Sequence, residues 1–151
     1  MTTHAYATRL TWSGSTAVGY DAYGRTHTVV PAGTPPLTLS SDPAFRGDPG
    51  LPNPEQLLLA AASSCQLLSF LAVAARSRVD VVGYHDDATA TMPEGERPTR
   101  ITEIVLHPRI TVRGADPLRV RRLIDLAHDQ CYVANSLTTT IRIEPTIEVL
   151  D

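Results

Sequence analysis

The chain has 151 residues, with 13 basic and 16 acidic side chains, a formal net charge of −3 and an isoelectric point near 5.9. That length supplies one domain with a real core, taken here as residues 1–151, and 42% hydrophobic against 19% charged residues excludes wholesale disorder. The acidic balance excludes a general electrostatic grip on nucleic acid, and because every one of the 13 basic residues is Arg, lysine Schiff-base and lysine general-base chemistry are excluded too.

The N-terminal segment MTTHAYATRLTW lacks the basic and apolar regions of a signal peptide, so a cytoplasmic protein with reduced thiols is expected. Tyr6, Thr8, Leu10 and Trp12 alternate as one face of a strand, with a turn at Gly14-Ser15. Thr16 to Tyr23 and Thr26 to Val30 continue as two further strands of an antiparallel meander. From Pro31 to Pro54 the texture changes, with seven prolines and three glycines. Such a stretch is neither helix nor central strand. Leu37, Leu39, Phe45 and Leu51 offer apolar anchors, so an ordered loop is expected.

Asn53-Pro54-Glu55 has the grammar of a helix start: a capping side chain, a proline at the first position and an acid against the positive end. The helix is predicted to run to about Ser77. Within it, Gln56 to Ala75 is a run of 20 residues without a charge, long enough to cross a bilayer. Its two Gln, three Ser and one Cys, and the absence of a flanking Trp or Tyr belt, favour a buried core helix over a membrane span. Because the helix is apolar or small on every side, one sheet cannot cover it. A homodimer that shares it is the simplest solution, and burial under the proline-rich loop and a second helix is the alternative.

Val79 to Met92 is predicted as a strand, Pro93 to Glu96 as a turn, and Thr99 to Val112 as a strand bent at Pro108. Asp116-Pro117 starts a second helix with Val120, Leu123, Ile124 and Ala127 inward and Arg119, Arg121 and Arg122 outward. Thr138 to Val149 closes the chain as a strand broken at Pro145. The order βββ-α-ββ-α-β is an α+β fold.

The chemistry-bearing residues are few. Cys65 sits mid-helix and Cys131 follows the second helix; taken singly, each is most simply a small buried hydrophobe. Two cysteines 66 positions apart make neither a disulfide scaffold nor a four-cysteine zinc site. His128 and Cys131 form one H-x-x-C pair without a second, and His4, His27, His85 and His107 have no ligand spacing. No metal is therefore assigned, and no phosphate-binding glycine loop, dinucleotide fingerprint or G-x-S-x-G elbow occurs.

Taken together, the motifs go further. Asn53-Pro54-Glu55-Gln56-Leu57-Leu58, Cys65 ten residues after Glu55, and His128-Asp129-Gln130-Cys131 resemble the OsmC/Ohr family of thiol-dependent peroxidases. Ser41 to Asp48 and Ala134-Asn135-Ser136-Leu137 look like one of its less characterised branches, and the resemblance covers essentially the whole chain. It implies an intertwined homodimer with active sites at the subunit interface, reducing organic hydroperoxides and sometimes hydrogen peroxide. It further implies Cys65 as the peroxidatic thiol, Cys131 as the resolving thiol and Glu55 as the partner of an active-site arginine. Arg46, in the loop, and Arg25, after the first hairpin, are the candidates for that arginine, with Arg46 nearer Glu55 in sequence. No bound cofactor is implied, but an external dithiol must reset the enzyme, and the family points to dihydrolipoamide on a partner protein. Tyr132 stands where family peroxidases commonly have Pro. The apolar helix with Phe45, Phe70 and Tyr132 would make a pocket for lipid-like or aryl hydroperoxides, unless these rings simply fill the core. A regulatory or binding protein on the same fold, and another cysteine-dependent enzyme such as a hydrolase, are the alternatives. No membrane partner is expected.

Overall fold

A computed structural model describes all 151 residues, which group into two compact units, Met1–Leu57 and Leu58–Asp151.

The first unit is a three-stranded antiparallel sheet in the order β1 (Thr8–Thr11), β2 (His27–Pro31), β3 (Leu37–Leu39). Thr8 pairs with Pro31 and Thr11 with Thr28, and His27 pairs with Leu39. The meander was expected to hold a strand at Thr16 to Tyr23. Instead, Thr16–Val18 is a 3₁₀ turn, with the Ser15 hydroxyl accepting from the Ala17 N–H at 3.2 Å. Backbone donors of Gly19, Ala22 and Tyr23 find carbonyls within the same segment, so no ladder is needed. The aromatic side chains close over it. Trp12 Nε1 donates to the Gly24 carbonyl at 2.8 Å, Trp12 meets Tyr23 edge-on, and the Arg25 guanidinium lies over Tyr20 and Tyr23.

The proline-rich stretch is ordered by its own polar groups. Leu37–Leu39 escapes the prolines that flank it and joins the sheet as an edge. Pro43–Phe45 forms a 3₁₀ turn capped by Asp42, whose Oδ1 accepts from the Ala44 N–H at 2.7 Å. Ser40 Oγ accepts from the Asp48 N–H, and the Ser41 hydroxyl donates to the Phe45 carbonyl. Gly47 is obligatory here, because a Cβ would stand 1.6 Å from the Ser41 carbonyl oxygen. Of the apolar anchors, only Leu39 is fully buried.

Helix α1 (Pro54–Arg76) starts as its sequence dictates and crosses from the first unit into the second. Asn53 Oδ1 accepts from the Gln56 N–H at 2.9 Å while Gln56 Oε1 accepts from the Asn53 N–H at 3.0 Å, a reciprocal capping box. By length and composition this helix could cross a membrane, yet Ala62, Gln66, Phe70, Val73 and Ala74 are buried in protein.

In the second unit, each of the three long strands expected from the sequence is two strands meeting at a bend. They are β4 (Asp80–Asp86) and β5 (Thr89–Thr91), β6 (Glu103–Leu106) and β7 (Pro108–Arg113), and β8 (Thr140–Ile143) and β9 (Thr146–Leu150). One half of each enters the sheet β4-β7-β9 and the other the sheet β5-β6-β8. The outer pairs β4–β7 and β5–β6 are antiparallel, whereas β7–β9 and β6–β8 are parallel. Pro108 and Pro145 lack the N–H a continuous ladder needs, and one carboxylate and a backbone bond stitch the corner. Asp86 Oδ1 accepts from the His107 N–H at 2.7 Å, its Oδ2 from the Ser63 hydroxyl of α1 at 2.5 Å, and the Glu144 N–H donates to the Leu106 carbonyl at 2.8 Å.

Helix α2 (Pro117–Asp129) is capped by Asp116 and buries Val120, Ile124 and Ala127, the stripe its periodicity predicts. A further short helix, α3 (Tyr132–Asn135), begins directly after Cys131. Two apolar clusters result. One joins Phe70, Val73 and Ala74 of α1 to Ile110, Val112, Val120 and Ile124; the other joins Ala62 to Ile101, Ile104 and Leu106. Cys65 lies on α1 between them.

Candidate active site

Cys65 and Cys131, 66 positions apart in sequence, meet as free thiols. Helix α1 supplies the first, half-buried on the fourth turn. The second is fully buried where α2 gives way to α3. That junction is held tightly. The Cys131 N–H donates to the His128 carbonyl, Asn135 N–H to the Cys131 carbonyl, Asn135 Nδ2 to the Asp129 carbonyl and the Ser136 hydroxyl to the Tyr132 carbonyl. The Ala134-Asn135-Ser136 motif thus fixes the loop that carries Cys131.

The two sulfurs are driven in opposite directions. Partial burial works to raise the Cys65 pKa, but four donors outweigh it and hold the thiol below its ordinary value. These are the Val133 N–H, 3.5 Å from Sγ, the Cys131 thiol, the Tyr132 N–H and the Ser69 hydroxyl. Burial pushes the Cys131 thiol up, and the neighbouring Cys65 sulfur adds to the rise. Cys65 is therefore the better thiolate and Cys131 the proton holder. Nearby, burial and then the charges of Asp86 and Cys131 keep the Tyr84 hydroxyl protonated.

A pocket of about 230 Å³ opens at Cys65, lined by Leu68, Ser69, Ala72 and Arg76 of α1 and by Gln130 and Tyr132. Tyr132, 83% exposed, forms an outer wall. Phe70 is fully buried in the core, and of the three rings expected at this pocket only Tyr132 lines it. Ser69, Gln130 and Arg76 were not anticipated. The signal was available: steps of four, seven and eleven from Cys65 on a helix give Ser69, Ala72 and Arg76, one continuous row.

The remaining candidates lie in the first unit. Glu55 is in the first turn of α1, ten residues and about 15 Å of helix axis before Cys65. It forms no ion pair with either arginine. Arg46 pairs with Asp21 at 3.0 Å, on exposed side chains. Arg25 donates to the Tyr20 and Tyr23 carbonyls at 2.6 Å each, with its guanidinium 3.8 Å from the Tyr23 ring centroid. It also lines a largely apolar pocket of about 370 Å³ with Trp12, Tyr23, His27 and Pro54. Nowhere do three His, Cys, Asp or Glu side chains gather as a metal cage.

A family profile for OsmC-like proteins matches residues 47–146, while no curated protein matches the sequence. Among solved structures, an OsmC-like protein of unknown function from Vibrio cholerae is 27% identical, with a TM-score of 0.86 over 95% of this chain and 100% of its own. An organic hydroperoxide resistance protein OsmC from Legionella pneumophila is 18% identical, with a TM-score of 0.74 over 98% of this chain and 99% of its own. An organic hydroperoxide resistance protein from Elizabethkingia anophelis is 20% identical, with a TM-score of 0.74 over 99% of each chain. The latter two likenesses establish the fold. With the profile spanning both cysteines and most of the chain, the protein belongs to the OsmC-like family.

Proposed function

We propose that the protein is a thiol-dependent peroxidase that reduces organic hydroperoxides and, besides them, hydrogen peroxide. The observation that carries this reading is the contact between two thiols whose acidities are displaced in opposite directions. In the first step the Cys65 thiolate attacks the outer peroxide oxygen and the O–O bond breaks. Cys65 becomes a sulfenic acid, and the leaving alkoxide takes a proton to give the alcohol. In the second step Cys131 attacks the sulfenic sulfur. Its thiol proton joins the departing hydroxyl as water, and a Cys65–Cys131 disulfide forms. Cys131 lies beside Cys65, so the second step joins sulfurs that are already neighbours. An external dithiol, of which dihydrolipoamide on a partner protein is the example the family offers, reduces the disulfide and returns both thiols.

Negative charge develops on the peroxide oxygens, and a guanidinium there would stabilise it. Because α1 is continuous from Pro54, Glu55 cannot reach Cys65 of its own helix. We assign Glu55, with Arg25 or Arg46, to the active site of a second copy in a homodimer. An unpartnered stripe on α1 supports the dimer: Ala60, Ala61, Ser64, Leu68, Leu71 and Ala75 are all exposed. Of these, Leu68 is 62% exposed, unusual for the middle of a 23-residue apolar helix.

Stopped-flow peroxide titration with mass spectrometry tests the reading. Wild type should form one intramolecular disulfide per chain, and Cys131→Ser should accumulate sulfenic and higher acids on Cys65. Retained peroxidase activity in Cys65→Ser, with Cys131 overoxidised instead, refutes the assignment. Ester hydrolysis without peroxide would point to a hydrolase.

A further inference from the structure

We propose that Arg76 is a specificity-determining residue that binds an anionic group, of carboxylate type, at the far end of the molecule that reacts with Cys65. The inference rests on the thiol-peroxidase reading and adds the chemistry of the substrate's other end.

Cys65, Ser69, Ala72 and Arg76 form a single row along α1, since eleven residues bring a helix back to within about 20° of the same direction. All four line the same pocket, with Leu68, Gln130 and Tyr132. Its chemistry changes along its length. At one end stand a depressed thiol and the Ser69 hydroxyl, in the middle the apolar Leu68 and Ala72, and at the other end a guanidinium. The axial separation of Cys65 and Arg76 is about 16 Å, and the long Arg side chain, tilted toward the N-terminus, reaches back farther than the short Cys side chain does, which shortens the gap to on the order of 10 Å. A peroxide at the sulfur, an aliphatic segment over Leu68 and Ala72, and a carboxylate at the guanidinium fit that span.

Arg76 is also free to take a ligand. Arg46, Arg109, Arg113 and Arg142 are in ion pairs, Arg25 is held by two carbonyls and two rings, and Arg119 donates to the Ser77 carbonyl. Arg76, like Arg9, Arg78, Arg97, Arg100, Arg121 and Arg122, has no carboxylate within 4.0 Å, and of these it alone lines the pocket at Cys65, so a ligand carboxylate displaces no existing bridge there. A planar guanidinium receives a carboxylate through two parallel hydrogen bonds, which a neutral end group cannot reproduce. The simpler role for a cation in the last turn is to complement the helix dipole. That role predicts a stability effect and no ligand preference.

The test uses the full reduced chain and no peroxide. Cys65 is alkylated with iodoacetamide, a neutral reagent, in the presence of octanoate or octan-1-ol, and its modification is followed by mass spectrometry. Octanoate should protect Cys65 at a concentration about tenfold lower than octan-1-ol, the value of one charge-assisted contact. Arg76→Gln should erase the difference, and Arg76→Lys should restore part of it. Equal protection by the two probes in wild type overturns the proposal, as it would if a carboxylate of a second copy occupied Arg76. So does an undiminished carboxylate preference in Arg76→Gln. A preserved preference in a protein that turns over no hydroperoxide would refute the peroxidase reading and leave the anion site standing. Peroxidase turnover without any preference would do the reverse.

Discussion

The two units of this chain solve the problem of stability in different ways. Residues 58–151 bury two apolar clusters, built from α1, α2 and the paired three-stranded sheets, and hold both thiols. Residues 1–57 bury only Leu39, Ser40 and Asn53. Their apolar side chains face outward instead: Tyr6 is 94% exposed, Leu10 61% and Val18 59%. A three-stranded sheet with so little buried on it is held by turns, caps and ring stacking, and these do not offset the entropy of ordering some fifty residues. The first unit therefore has the surface of a part made to be covered, and the proposed homodimer would cover it. On the proposed reading the same contrast divides the function, with the thiols in the unit that has a core and the assisting charges in the unit that lacks one.

The largest expected effect separates those roles directly. Cys65→Ser should remove peroxidase activity by about a thousandfold or more, with folding retained, because the nucleophile itself is lost. Glu55→Gln should also be strongly impaired. If the first unit of one copy serves the second unit of another, mixing the two inactive proteins creates heterodimers with one intact site, and activity returns on subunit exchange. Confirmed exchange without recovery would refute a site shared between two copies.

Two adjacent alanines sharpen the comparison next. Ala62 is fully buried in the second unit's core, whereas Ala61 is exposed. Ala62→Arg places an unpaired charge among Ile101, Ile104 and Leu106 and should cost on the order of 4 kcal/mol, read by urea denaturation. Ala61→Arg should change the stability of the second unit by less than about 0.5 kcal/mol, yet shift the mass seen by sedimentation toward 16.3 kDa. A wild-type mass of 16.3 kDa at micromolar concentration would remove the dimer argument altogether.

A smaller effect is expected in the first unit. Gly47→Ala drives a Cβ into the Ser41 carbonyl, so the loop from Ser40 to Pro52 must rearrange, at a cost of about 2 kcal/mol. Hydrogen exchange should quicken at Asp48 and Ala44, whose N–H groups are held by Ser40 and Asp42. Protection at Val112 and Ile124 should stay unchanged if the second unit is autonomous.

What was legible in the sequence follows the same division. The start of α1 and the inward stripe of α2 were readable, because caps and helical periodicity are local signals. The bends were not fully so. Pro108 and Pro145 announced two of them, but the third, at Asp87-Ala88, carries no proline. It falls next to the Asp86 carboxylate, which holds a backbone group 21 residues away, and no local pattern shows that. The segment from Thr16 to Tyr23 alternates like a strand but curls, since aromatic stacking and a positive φ at Gly19 outweigh the alternation. Arg76 belongs to no local motif: it joins the pocket row only through helix geometry, eleven residues on from Cys65.

The smallest effect concerns how the second unit sets its nucleophile without a charged neighbour from the first. The depressed Cys65 pKa comes from donors within residues 58–151, so a thiolate should form at lower pH than in an ordinary cysteine whether or not Glu55 is intact. Iodoacetamide alkylation of Cys65 should then rise through a midpoint below that of a free thiol, and Glu55→Gln should leave this midpoint in place. Cys131→Ala removes one donor and leaves burial unchanged, so the midpoint should move up. The sign is not confused by loss of Cys131's own negative charge, since that thiol is pushed up and is still protonated where Cys65 titrates. Ser69→Ala removes a weaker donor and should move the midpoint in the same direction by less. A downward shift in Cys131→Ala would mean that repulsion between the sulfurs outweighs the hydrogen bond. A large upward shift in Glu55→Gln would instead make the first unit part of the acid–base machinery of the thiol.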